Sequence, residues 1–81
     1  MSISSYVYYV IRDKDMKYWL IEIGNLSEKL VLQLMSEGMS NDDAQDAVLV
    51  ILKEHMEVGN TSIEDLRECV KTLASLINEF N

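Results

Sequence analysis

An 81-residue chain makes one domain, near the lower end of what a single hydrophobic core sustains unaided. About half of it is apolar (48%), which argues against intrinsic disorder, and its one cysteine excludes an internal disulfide or a zinc site built on paired thiols. The formal charge of −7 speaks about partners rather than fold, because charge sets the surrounding potential.

No apolar run reaches the roughly 18 residues that suggest a membrane span. The opening Met1-Ser2-Ile3-Ser4-Ser5 lacks the basic stretch of a secretory signal, and charges from Arg12 to Lys14 interrupt any apolar core of one. The expectation is a soluble cytoplasmic protein.

Tyr6-Val7-Tyr8-Tyr9-Val10-Ile11 is rich in aromatic and β-branched residues, which pack well on a pleated surface and lose rotamer freedom in a helix. A polar tetrad, Arg12-Asp13-Lys14-Asp15, separates it from Met16-Lys17-Tyr18-Trp19-Leu20-Ile21-Glu22-Ile23. Two such runs around a short polar break predict an N-terminal antiparallel β-hairpin over about 5–23. A turn centred on Asp13-Lys14 sets Tyr8 against Trp19 and Tyr9 against Tyr18. A single long N-terminal helix is the competing reading.

Beyond Gly24 the apolar period lengthens from 2 to 3.6 residues. Leu26, Leu30 and Leu34, with Val31 and Met35 beside them, predict a helix over about 26–37 that stops at Gly38. Asn25 or Ser27 would cap its start, with Glu28 in capping-box position. Ser40 opens a second helix over about 41–57, with Ala44, Ala47, Val48, Ile51 and His55 on its inner face and Gly59 as its stop. Thr61-x-x-Glu64 opens a third, over about 62–80. There Ile63, Leu66, Val70, Leu73, Ile77 and Phe80 alternate in steps of 3 and 4, the spacing of a coiled-coil seam. Such a seam serves either a helix pair within the subunit or one between subunits. The predicted fold class is α+β: a hairpin followed by three helices, the whole chain 1–81 forming one domain.

Few residues carry chemistry. The lone histidine, His55, falls near the end of the second helix, where a cation complements the helix dipole. Cys69 lies beside the apolar stripe of the third and reads as a small core or boundary residue. Asp42-Asp43-x-x-Asp46 lacks the alternating oxygens and central glycine of a calcium loop. The three glycines stand too far apart for a phosphate loop. A helix–Gly38-Met39–helix passage suggests a DNA reader, but Asp42, Asp43 and Asp46 at the start of the second helix would repel phosphates. The same passage, from Leu34-Met35 through Ser40 to Ala44, resembles ubiquitin-associated domains in part. Their Met-Gly-aromatic loop is missing, since Glu37 precedes Gly38 and Met39 follows it, and no family is assigned. No catalytic residue, cofactor, metal, direct nucleic-acid contact or membrane contact is expected.

Two surfaces stand out. On the hairpin Tyr6, Tyr8, Val10, Trp19 and Ile21 would share one face. Burying Tyr6, Tyr8, Trp19 and Ile21 would remove on the order of 500 Å² of apolar surface, roughly 10 kcal/mol before entropic losses. That rivals the whole stability of a small domain, so the reading is a non-enzymatic interaction or regulatory protein that docks through this face. A homodimer formed by strand pairing or by the third helix is the expected assembly. The second surface is acidic. From Leu30 to Leu66 there are eight acids, Glu37, Asp42, Asp43, Asp46, Glu54, Glu57, Glu64 and Asp65, against one base, Lys53. Glu37, Asp42, Asp43, Asp46, Glu54 and Glu57 support the alternative of a nucleic-acid mimic, which presents carboxylates where phosphates would lie, as some phage-encoded inhibitors do.

Overall fold

The structure is a computed structural model that describes Ile3 and residues 16–80. Among the described residues there are three α-helices and no strand: α1 (Lys17–Ser36), α2 (Asn41–His55) and α3 (Ile63–Glu79). They form a small bundle in which α1 packs most extensively on α3, then on α2, while α2 and α3 touch least.

The α+β expectation is therefore corrected. Residues assigned to the second hairpin strand, from Lys17 to Ile23, belong to α1, whose 20 residues run unbroken through Gly24. Period 3.6 explains why. Met16, Trp19, Leu20, Ile23, Leu26, Leu30, Val31 and Leu34 join the core or pack against it, and their spacing of 3 and 4 residues traces one stripe down a helix. The aromatic and β-branched character of 18–23 is a local preference worth tenths of a kcal/mol per residue. Burying Ile23 and Leu30, which are 0% and 2% exposed, contributes roughly 1.5–3 kcal/mol each. Tertiary burial wins over propensity, and over the glycine as well. The first expected strand, with Tyr6, Tyr8 and Val10, lies outside the described residues.

Asn25, Ser27 and Glu28 are interior to α1 rather than at its cap. Ser27 is fully buried, and its Oγ finds no hydrogen-bond partner among the described residues. The helix ends in a Schellman motif: Gly38 N–H donates to Met35 O (3.0 Å) and Met39 N–H to Leu34 O (3.2 Å). Gly38 adopts φ +103°, a backbone conformation that a side chain disfavours.

Ser40 caps α2 by accepting from Asp43 N–H at 3.1 Å, and Asp42 and Asp43 stand in its first turn. Asn41 Nδ2 donates to Met35 Sδ (3.7 Å) and Gln45 Nε2 to Asn41 Oδ1 (2.9 Å), tying the start of α2 to the end of α1. The buried residues of α2 are Ala44, Val48, Leu49 and Leu52, with His55 half-buried at its end. Met56 then turns extended and stays buried. Asn60 N–H donates to Glu57 O (3.1 Å) across a reversal carried by Gly59 at φ +77°, as a type II turn requires. Thr61 closes this loop, its Oγ1 donating to Glu57 O (2.6 Å) and accepting from Glu57 N–H (2.9 Å). The capping box of α3 is one residue later than expected: Ser62 Oγ accepts from Asp65 N–H, and Asp65 Oδ2 accepts from Ser62 N–H.

On α3 the buried side chains are Leu66, Cys69, Leu73 and Ile77. Their steps of 3, 4 and 4 match a straight helix better than a supercoiled seam. The ends of the expected seam, Ile63 and Phe80, are exposed. Its central positions Leu66, Leu73 and Ile77 are buried within the subunit, and Val70 is half-buried against the same core.

Two substitutions should strengthen this bundle. Among the described residues nothing lies within 4 Å of a Cβ built on Gly24, so Gly24→Ala is expected to add about 0.5–1 kcal/mol by restricting the unfolded chain. Ser27→Ala removes an orphaned hydroxyl and should add about 1 kcal/mol. Chemical denaturation of each variant measures both; a loss of stability in either would contradict the helix drawn through 17–36.

Candidate functional site

With 3.6 residues per turn, α1 presents opposite faces to the core and to solvent. Its outward side carries Tyr18, Ile21, Asn25, Glu28, Leu32 and Met35. Tyr18, Ile21 and Leu32 are 67%, 56% and 60% exposed. These six positions are separated by 3, 4, 3, 4 and 3 residues, so they form a second stripe diametrically across from the buried one. Tyr18 and Trp19 meet edge to face with ring centroids 5.2 Å apart, which links the bare face to a half-buried ring packed on the core.

The expected hairpin face is thereby divided. Trp19 packs against the core while Ile21 is exposed, because two residues along a helix are about 200° around it. Tyr6, Tyr8 and Val10 lie outside the described residues. Sequence reasoning places Tyr18 on a strand, Met35 beside the inner stripe of the helix over about 26–37, and Leu32 in no site, whereas all three are exposed. Their signal, the 3-4 alternation from 18 to 35, is present in the sequence but is hidden once Gly24 is taken as a break.

The acidic residues fall on α2 and beside it. Asp42, Asp43, Asp46 and Glu54 share its outer face with Val50 and Lys53, and all six are exposed. Glu37 precedes that helix and Glu57 follows it, so the set extends beyond the roughly 22 Å length of a 15-residue helix. The outer face of α3 is charged in both signs, with ion pairs Arg67–Glu64 (3.2 Å) and Lys71–Glu68 (3.7 Å). Exposed pairs of this kind contribute little to stability. Only α1, among the described helices, turns an apolar stripe outward.

A hollow of about 310 Å³ opens beside that stripe, between α1 and the start of α2. Gly24, Glu28, Val31 and Leu32 line it from α1 and Asn41 and Gln45 from α2, and the buried Ile3 borders it as well. Among the described residues no group of three His, Cys, Asp or Glu side chains is placed to hold a metal ion, and no helix is long and apolar enough to cross a membrane.

Among the described residues two groups have shifted acidity, and both shifts have structural causes. Burial pushes the Cys69 thiol up to about 12, far from the depressed range of a nucleophilic thiolate. Hydrogen bonds from the Ser62 backbone N–H and hydroxyl hold the Asp65 carboxyl below its ordinary 3.8, with a smaller attraction from His55. Compared with known protein families, curated proteins and solved structures, the chain finds no match.

Two measurements check this assignment. Cys69 should resist a thiol reagent in the native protein and react fully once denatured. Because folding favours ionised Asp65, its contribution is complete above the unfolded pKa and vanishes as pH falls through the lower folded value. Asp65→Asn should therefore melt earlier than the parent near about pH 7, with the gap closing at about pH 2; a gap that persists in acid would contradict the capping box.

Proposed function

We propose that this chain is a small non-enzymatic interaction protein that docks onto another protein through the outer face of α1. The observation that supports it is the exposure of Tyr18, Ile21, Leu32 and Met35 along one line of a well-packed helix. Isolated exposed apolar residues are ordinary, but an aligned set opposite the core is what an interaction surface needs. The buried, strongly protonated Cys69 thiol speaks against a thiol-dependent reaction.

The carboxylates on the outer face of α2 support a second reading, in which an acidic surface occupies a nucleic-acid site on its partner. The dipole at the α2 N-terminus already accounts for Asp42 and Asp43, so this reading stands behind the first.

Salt separates the two. Capture of a binding partner from cells of the source organism should survive molar salt and be lost in Ile21→Asp/Leu32→Asp, a variant that leaves the thermal melt unchanged because both side chains are exposed. Retention that instead fails at high salt and in Asp42→Asn/Asp46→Asn would favour the acidic face. Salt-resistant capture by the apolar double variant would remove the proposal.

A further inference from the structure

The outward stripe of α1 is self-complementary when reversed. Positions 18, 21, 25, 28, 32 and 35 form three pairs whose numbers sum to the same value: Tyr18 with Met35, Ile21 with Leu32, and Asn25 with Glu28. An antiparallel copy of the same helix in that register therefore sets apolar against apolar at both ends. At the centre it sets an amide donor against a carboxylate, twice by symmetry. We infer that this chain forms a two-fold symmetric dimer in which α1 pairs antiparallel with α1 of a second copy, in that register. The inference rests on the reading of this face as a docking surface and names its occupant.

Charge agrees with the register. Glu22 and Lys29 flank the stripe on one side, one heptad apart. In the antiparallel pair Glu22 of each copy comes within about 3 Å, measured along the axis, of being level with Lys29 of the other. A two-fold axis between antiparallel helices keeps both on the same side of the interface, so two opposite-charge contacts form. The hollow between α1 and α2 lies level with the second copy's Ile21, since Leu32 borders it.

Alternatives are penalised by the same residues. A parallel pair stacks Glu28 on Glu28, a like-charge contact at the centre of the seam. Sliding the antiparallel pair by one heptad places Glu28 against Tyr18 or Leu32, leaving a carboxylate desolvated without its amide. The central polar pair thus fixes orientation and register, as single polar residues do in coiled coils. The seam from 18 to 35 is about 26 Å long, and burial on the order of 1,000 Å² places it at the low end of specific interfaces. A reversible dimer is expected.

Sedimentation velocity of the full chain over a concentration series is the test, with circular dichroism to verify the fold of each variant. The parent should pass from monomer to dimer as concentration rises, and Leu32→Asp should remain monomeric with unchanged helicity. Glu22→Lys should weaken the dimer several-fold, and Glu22→Lys/Lys29→Glu should restore it. Register is read by oxidising a mixture of Asn25→Cys and Glu28→Cys chains, in which buried Cys69 is a bystander. The mixed disulfide should dominate, because that heterodimer also keeps one Asn25–Glu28 contact. A monomer throughout, a dimer indifferent to Leu32→Asp, or a predominance of Asn25→Cys linked to itself would each overturn the inference. If the chain stays monomeric while salt-resistant capture still requires Ile21 and Leu32, the docking face stands and self-pairing falls. If the dimer behaves as described but capture ignores those residues, self-pairing stands alone.

Discussion

The apolar stripe that runs without a break along α1 is the constraint on which the molecule depends. Ile23 and Leu30, with Trp19 and Leu20 before them and Val31 and Leu34 after them, give α2 and α3 their common contact surface. Without that stripe the other two helices, which touch each other least, would have little to pack on. Gly24 sits inside this helix at a penalty of about 1 kcal/mol relative to alanine. The burial of its neighbours offsets that several times over.

Short reversals then decide which side of α1 is covered. The Schellman motif at Gly38 and the Asn41 contact to Met35 return the chain along α1. The Glu57–Thr61 closure and the Ser62–Asp65 box start α3 after a buried Met56. Each reversal satisfies backbone groups that a helix end would otherwise leave unpaired. Among the described helices, α2 and α3 cover one side of α1 and leave Tyr18, Ile21 and Leu32 of its other side exposed.

Charge and apolarity are thereby segregated. α2 carries most of the exposed acids and α3 a mixed set of ion pairs, while α1 shows an apolar line interrupted only by Asn25 and Glu28. Net negative charge keeps small proteins dispersed through self-repulsion. Its placement on α2, off the α1 stripe, leaves that stripe free to engage an apolar surface. In the proposed docking the central Asn25 and Glu28 would add selectivity, because a partner would have to satisfy both polar groups as well as the apolar ends.

The sequence by itself determined the helical regions after Gly38. Ser40 as a cap, the acids in the first turn of α2 and the glycines that take positive φ are local signals, and each acts within a few residues of where it is written. Part of the α3 core was legible too: Leu66, Leu73 and Ile77 belong to the spacing read from sequence, whereas Cys69 replaces Val70 at its centre. What only tertiary structure decided was the state of residues 17–25. Tyr18 through Ile23 satisfy period 2 and period 3.6 about equally over so few residues, and Gly24 favours a break. The choice belongs to side chains far along the chain, on α2 and α3, whose burial against Ile23 outweighs any local preference. The outward face of α1 was hidden for the same reason, since a surface is visible only once the element that carries it is known.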